Sequence, residues 1–172
     1  MIYADMIAKE LESSGITHVF CYAGGTISFL IDAIKKNTNI KIITTRHEQG
    51  ASFMASAFSK SGNGLGCCIS TSGPGALNLI TGIADAYYDY TSILCIVGQC
   101  GSEQSSKPVD INTRQNGFQY CDIMSVTESI SCDSVELYDT RKSIKSLINK
   151  CIKNRAPLVV SIPIDIQRRI VL

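Results

Sequence analysis

Short apolar runs alternate with helical patterns along this chain, and this alternation constrains the fold more than any other feature. Residues 65–70 are almost continuously apolar, which is typical of a strand buried on both faces of a sheet. Further strands are predicted at residues 17–21, 40–44, 93–97 and 158–162. Strands that alternate with helices favour an α/β fold. We therefore expect three α/β/α layers around a mostly parallel, roughly six-stranded sheet.

Helices are predicted between these strands from apolar positions that recur at helical spacing. Ile7, Ala8 and Leu11 form one such stripe, and Ile27, Leu30, Ile31 and Ile34 form another. Two further helices are predicted at residues 76 to about 88 and at residues 134–152. The polar stretch 98–122 interrupts the pattern, and we expect a mobile loop there that a partner domain orders.

Length and charge limit the classes of protein to which the chain can belong. A chain of 172 residues suits one domain, residues 1–172, with a substantial core. A net charge of +1 gives no support for binding to nucleic acid or to a membrane surface. No apolar run reaches the roughly 20 residues of a membrane span, and no signal peptide is recognisable. The expected location is cytoplasmic.

Eight cysteines raise the question of disulfides or a metal site. No Cys-x-x-Cys pair occurs, and the chain has two histidines. Zinc sites usually contain closely spaced Cys or His pairs, so no metal site is predicted in this chain. Cys67, Cys68 and Cys95 fall in apolar strands, where cysteine behaves as a small hydrophobic residue. We expect reduced thiols.

Two turns that follow predicted strands carry the candidate functional residues. Glu48 opens the helix after one strand, where a carboxylate serves either as a dipole partner of the helix or as a catalytic group. Gly73-Pro74-Gly75 opens the helix after the next strand and suits a tight turn or an anion cradle. It is neither a Walker A loop nor a dinucleotide fingerprint, since Asn78 stands where that fingerprint needs glycine.

Residues 46–51 (RHEQGA) and 71–78 (TSGPGALN) together resemble the acetolactate synthase branch of the thiamine-diphosphate enzymes, in their N-terminal, flavodoxin-like pyrimidine-binding domain. The resemblance implies that Glu48 hydrogen-bonds N1′ of the aminopyrimidine and favours the imino tautomer that activates thiazolium C2. It also implies that Pro74 packs against the pyrimidine ring and that Asn78 lines the pocket.

Two other segments resemble the same family. Tyr22, Gly24 and Gly25 lie in a turn that is similar to the family's glycine turn, which implies backbone N–H groups facing the reacting centre with Tyr22 near the cofactor. Gln119 matches a Phe-Gln pair near the substrate. The chain departs from the family where Gly, Pro, Thr and an acidic residue are common, at Cys21, Ala23, Leu77 and Tyr120.

The resemblance also implies a cofactor, partners and domains outside this chain. The Gly-Asp-Gly…Asn segment that binds Mg²⁺ and diphosphate in the family does not occur, so we expect the middle and diphosphate-binding domains to be absent. Thiamine diphosphate would then be shared with an absent domain or a partner chain that holds Mg²⁺, and FAD is possible in the parent enzyme. The expected substrate is a 2-oxo acid, the expected assembly is a homodimer, and the chain alone is expected to be inactive.

Three alternatives stay open from the sequence. The chain could be the complete α subunit of a two-subunit 2-oxo acid decarboxylase. It could be a non-catalytic binding or regulatory module that kept this fold and lost the chemistry. It could also be a flavodoxin-like nucleotide module that binds flavin without thiamine diphosphate.

Overall fold

The computed structural model describes residues 1–106, 112 and 115–171. Its six strands are β1 (His18–Cys21), β2 (Lys41–Thr44), β3 (Gly66–Ser70), β4 (Ile93–Gln99), β5 (Asp133–Glu136) and β6 (Leu158–Pro163). They form one sheet in the order β2-β1-β3-β4-β6-β5, and every neighbouring pair runs parallel. The predicted α/β fold class is therefore confirmed.

Burial along the strands explains the apolar runs in the sequence. Every residue of β3, β4 and β6 is buried, as a central strand covered by helices on both faces requires. The edge strand β2 is largely exposed. The continuous apolar runs of the sequence thus correspond to the strands in the middle of the sheet.

Helices cover both faces of the sheet. One layer contains α1 (Tyr3–Ser13), α2 (Ser28–Asn37), α8 (Lys145–Asn154) and α9 (Ile164–Gln167), and the other contains α3 (Glu48–Lys60), α4 (Pro74–Asn78), α5 (Ile80–Tyr88) and α7 (Ile123–Thr127). The short α6 (Ser102–Ser105) follows β4, and 3-10 turns occur at Gly25–Ile27 and Glu128–Ile130. No helix within residues 1–106 and 115–171 is long and apolar enough to cross a membrane.

Successive side chains of the strands pack alternately into two separate hydrophobic cores, one on each face of the sheet. In β3, Cys67 and Ile69 pack against the α1–α2 layer, whereas Cys68 packs against the α3–α5 layer. Cys68 pairs in register with Cys95 of β4, and their sulfurs lie 3.3 Å apart. All eight cysteines are free thiols, six of them buried.

The prediction of one long helix at residues 134–152 is wrong. The segment instead contains β5 at the edge of the sheet and then α8, which begins at Lys145. β5 pairs with β6, with Asp133 opposite Leu158, and the backbone N–H of Cys132 extends the pairing by donating to the Pro157 carbonyl at 2.7 Å. Pairing with a buried neighbour therefore determines the structure of this short segment, whose own sequence pattern is ambiguous.

Two other predicted boundaries also differ from the structure. The helix predicted from residue 76 begins at Pro74 and is divided at Leu79, whose N–H donates to the Ala76 carbonyl. The stretch 98–122, predicted as a loop, includes the end of β4 and the helix α6. Residues 107–111, 113 and 114 of that stretch lie outside the described residues, and its mobility stays a prediction.

Candidate functional site

The strand order creates a crevice between β1 and β3. These strands are neighbours, but the chain leaves β1 towards one edge of the sheet and leaves β3 towards the other. Open α/β sheets bind ligands at such a switch point, outside the carboxyl ends of the strands. The turn at Tyr22 follows β1 and the turn at Thr71 follows β3, so the sequence-predicted site residues border this crevice.

Glu48 places a buried carboxyl group beside the crevice. It is the first residue of α3, and its side chain is only 6% exposed. The imidazole of His47 caps the helix by accepting from the Gln49 N–H at 3.2 Å. The Glu48 Oε2 atom accepts a hydrogen bond from the Asn78 side-chain amide at 3.0 Å. The structure thus brings together two of the predicted site residues, and the bond fixes one oxygen of the carboxyl group.

Gly75 allows the backbone at the start of α4 to approach the other oxygen closely. A β-carbon added at Gly75 would lie 3.1 Å from Glu48 Oε1 and 2.7 Å from the Thr71 methyl group. Within the described part of the chain, Oε1 makes no hydrogen bond. The carboxyl group therefore presents one anchored oxygen and one oxygen that faces a position without a side chain.

Thr26 joins the two turns, although the sequence did not identify it as a site residue. Its buried hydroxyl lies 2.8 Å from the Thr71 hydroxyl and accepts from the Ser72 N–H at 3.0 Å. The Thr26 carbonyl accepts from the Gln167 amide at 2.8 Å. A hydroxyl residue directly after Gly24-Gly25 was the signal in the sequence, but only the fold shows what it contacts.

Gly24 and Gly25 differ in why they are glycines. A β-carbon at Gly24 would lie 2.5 Å from that of Thr71, so the turn can approach β3 only without a side chain. A β-carbon at Gly25 would meet no atom within 4 Å. Packing therefore requires glycine at the first position alone.

Gln119, Tyr22 and Pro74 lie at the rim of the crevice. Gln119 has a left-handed backbone with φ of 55°, and its carbonyl oxygen would lie 2.6 Å from a β-carbon added at Gly73. The side chains of Gln119, Tyr22 and Pro74 are exposed, and none hydrogen-bonds Glu48 in the described part of the chain. The structure thus places these three near the turns without joining them to the carboxyl group.

Small residues allow α3 and α5 to pack closely. A β-carbon at Gly82 would lie 2.2 Å from the Ser52 hydroxyl oxygen. The glycine of α5 and the serine of α3 therefore let the two helices approach closely. The outer surface of these helices and of α4 exposes several large apolar side chains, among them Phe53, Met54, Leu77, Tyr87 and Tyr88.

A second carboxyl group also lies at the carboxyl ends of the strands, on the strand β5, which the sequence pattern did not predict. Glu136 ends β5, and burial raises the pKa of its side chain. Its Oε1 atom is buried without a hydrogen-bond partner in the described part of the chain. Glu48 follows β2, and four strands lie between β2 and β5 in the sheet. The two carboxyl groups therefore lie at different places along the carboxyl end of the sheet.

The fold and the crevice define a three-layer α/β domain with a buried carboxyl group at the switch point. The family model of the thiamine pyrophosphate enzyme N-terminal TPP binding domain matches residues 1–126, and the chain belongs to this family.

Similar curated proteins carry acetolactate synthase names. The chloroplastic acetolactate synthase of Arabidopsis thaliana is 33% identical over 171 residues, which cover 97% of this chain and 24% of that protein. The large subunits from Buchnera aphidicola (Acyrthosiphon pisum) and Haemophilus influenzae are each 34% identical, over 96% and 94% of this chain and 28% of each relative. The chain therefore spans about a quarter of the length of these relatives.

Proposed function

We propose that this chain holds the aminopyrimidine ring of thiamine diphosphate, with Glu48 sharing a proton with ring atom N1′. One observation carries the proposal: a buried carboxyl group has one oxygen fixed by Asn78 and the other facing Gly75, where no side chain intrudes. Membership of the TPP-binding family and the acetolactate synthase names of the relatives support the same cofactor.

The residues present fit one half of the cofactor. A β-carbon at Gly75 would crowd Glu48 Oε1 and the Thr71 methyl group, so glycine keeps Oε1 clear of a neighbouring side chain, and Pro74 supplies an exposed apolar surface beside it. In this proposal, the diphosphate and its Mg²⁺ are held by another domain or subunit, because this sequence has no Gly-Asp-Gly segment. FAD in the parent enzyme stays a prediction.

Each residue of the chain then has a definite role. Thiamine diphosphate, when bound, supplies the nucleophilic carbon that attacks the carbonyl group of a 2-oxo acid. Glu48 holds or releases one proton at N1′, and Asn78 keeps the carboxyl group in the orientation that this transfer requires. Thr26 joins the two turns that would border the ring and so holds them in a fixed relation to each other.

The names of the relatives favour acetolactate synthase-like carboligation over other reactions of 2-oxo acids. A complete α subunit of a two-subunit decarboxylase would use the same Glu48 geometry, and its partner subunit would decide between the two reactions. The buried Glu48–Asn78 pair argues against a non-catalytic module, because an unneeded carboxyl group is costly to bury. A cytoplasmic location stays a prediction, since the named plant relatives are chloroplastic.

The exposed apolar side chains of α3, α4 and α5 support a partner on that face. Met54, Leu77 and Tyr88 are 40%, 40% and 71% exposed. Such a surface favours association with a second copy of the chain or with a diphosphate-binding domain. Light scattering at high micromolar concentration should therefore show more than a monomer.

Calorimetric titration tests the cofactor proposal. We expect weak binding of thiamine diphosphate to the chain alone, and much tighter binding once a diphosphate-binding domain from a relative is supplied. Glu48→Ala should weaken binding of the pyrimidine fragment 4-amino-5-hydroxymethyl-2-methylpyrimidine, whereas Glu128→Ala, at an exposed position, should not. Equal affinity of the two variants for the fragment would refute the assignment.

A further inference from the structure

Gln167 is a buried side-chain amide whose hydrogen-bonding groups all find partners within the protein. It ends α9, which follows β6 directly, and its side chain is completely buried. Its Nε2 atom donates to the Thr26 carbonyl at 2.8 Å and to the Ile162 carbonyl at 2.9 Å. Its Oε1 atom accepts from the Leu30 N–H at 3.3 Å. Both amide protons and the amide oxygen are thus engaged, which fixes the orientation of the amide.

The amide of Gln167 connects the end of β6 to the turn that follows β1. Ile162 belongs to β6, and Thr26 belongs to the 3-10 turn after β1. Two strands, β3 and β4, separate β1 from β6 in the sheet. The turn passes the end of β4 so closely that a β-carbon at Gly98 would lie 2.5 Å from the Thr26 carbonyl oxygen. Gln167 therefore holds this turn against the carboxyl ends of the strands.

The side chain of Thr26 extends these contacts into the crevice. Its hydroxyl lies 2.8 Å from the Thr71 hydroxyl and accepts from the Ser72 N–H at 3.0 Å. A β-carbon added at Gly75 would lie 2.7 Å from the Thr71 methyl group and 3.1 Å from Glu48 Oε1. The backbone at Gly75 therefore approaches both of these side chains closely, so a displacement of Thr71 would change the surroundings of the carboxyl group.

We propose that Gln167 is a positioning residue for the pyrimidine site and that it acts through Thr26. The inference rests on the proposed function of that site. Gln167 fixes the backbone carbonyl of Thr26, and the fixed backbone aims the Thr26 hydroxyl at Thr71 and Ser72. A buried amide with every group paired is a rigid support, because breaking one of its bonds leaves a buried polar group unpaired. Its contribution is to the geometry of the site and not to proton transfer.

Gln167→Met removes all three hydrogen bonds at similar side-chain size and places no charge in the core. Amide hydrogen exchange of the chain, measured by NMR, reads the first consequence. The Ser72 N–H should exchange about three- to tenfold faster than in wild type, which corresponds to the net value of one hydrogen bond. The rate is taken relative to the amides of β4, which report global unfolding. This measurement requires no cofactor.

Calorimetric binding of 4-amino-5-hydroxymethyl-2-methylpyrimidine reads the second consequence. Gln167→Met and Thr26→Val should each bind this fragment about three- to tenfold more weakly than wild type. The double variant should bind it no more weakly than Thr26→Val alone, because Gln167 acts through the hydroxyl that this variant already lacks. Two single effects that multiply in the double variant would overturn the proposal.

Ser59→Ala is the matched control, since it also removes two hydrogen bonds to the backbone, but at the amino ends of the strands. The Ser59 hydroxyl accepts from the Gly66 N–H at 2.7 Å and donates to the Ser92 carbonyl at 2.7 Å. Loss of stability alone does not change the affinity of the folded chain, so this variant should keep the wild-type fragment affinity and the wild-type relative exchange at Ser72. The same two results for Gln167→Met would show that Gln167 is merely structural.

The two measurements separate failure of this inference from failure of the proposed function. Unchanged relative exchange at Ser72 in Gln167→Met would refute the positioning role, whether or not the cofactor binds. Fragment binding that does not respond to Glu48→Ala would refute the pyrimidine site and, with it, this role. Circular dichroism verifies that each variant is folded. If Gln167→Met does not fold, Gln167→Glu replaces it in both measurements, because it loses the amide donors and keeps an acceptor for the Leu30 N–H.

Discussion

Replacing Glu48 by glutamine should separate binding of the cofactor from activation of the cofactor. The amide oxygen of the new side chain can accept from Asn78, as Glu48 Oε2 does at 3.0 Å. Its NH₂ group then points towards Gly75 and can donate a hydrogen bond to N1′, but it cannot transfer the proton. Affinity for thiamine diphosphate should therefore change little, while proton exchange should slow.

The size of the effect follows from the role of the proton. General acid–base catalysis contributes about 10²–10⁴-fold to rates, or about 2.7–5.4 kcal/mol in activation free energy. The stability cost is smaller, because only the charged character of one hydrogen bond and a helix-dipole contact are lost. These amount to about 1 kcal/mol and about 0.3–1 kcal/mol of unfolding free energy. Rate and stability should thus respond very differently to this substitution.

Hydrogen–deuterium exchange at C2 of thiamine diphosphate, measured in the assembled enzyme, reads the activation step directly. Glu48→Gln should slow exchange by two to four orders of magnitude, as expected for a general acid–base group. Glu128→Gln is the control, because it makes the same chemical change at an exposed position outside the crevice. Exchange at the wild-type rate in Glu48→Gln would show that Glu48 acts only as the first residue of its helix and not in activation of the cofactor.

Four glycine and threonine substitutions test the packing around the site. Gly75→Ala places a methyl group 3.1 Å from Glu48 Oε1, so calorimetry should show thiamine diphosphate bound about tenfold or more weakly. Gly82→Ala places a β-carbon 2.2 Å from a serine oxygen of α3 and should cost about 1–3 kcal/mol in urea unfolding. Gly50→Ala, on α3 with open space around it, should instead stabilise by about 0.4–1 kcal/mol. Thr26→Val removes the acceptor of a buried backbone N–H and should cost about 1–3 kcal/mol.

Each of these expectations has a result that contradicts it. Unchanged cofactor affinity in Gly75→Ala would mean that the ring does not use the space beside Glu48. Equal stability of Gly82→Ala and Gly50→Ala would mean that the α3–α5 contact can open at no cost. A Thr26→Val chain as stable as wild type would mean that water replaces the lost hydroxyl.

The central part of the fold could be predicted because its signals are local. Runs buried on both faces, such as β3 and β6, are apolar regardless of what packs against them. The edge strand β5 has no such signal, since each of its four residues is only half-buried. Its sequence permits a helix, and the ladder with β6 makes it a strand. This error also hid Glu136 at the end of β5 from the sequence analysis.

The residues of the candidate site likewise fall into two groups, those that the sequence could predict and those that only the structure identifies. Glu48 and Asn78 could be named from segments of the sequence, and the structure shows that they touch. The importance of Thr26 depends on its contacts with Thr71 and Ser72, which lie 45 and 46 positions further along the chain. Gly75 allows close approach to a side chain of another helix, which no local pattern encodes. Contacts between separate turns could therefore be identified only from the structure.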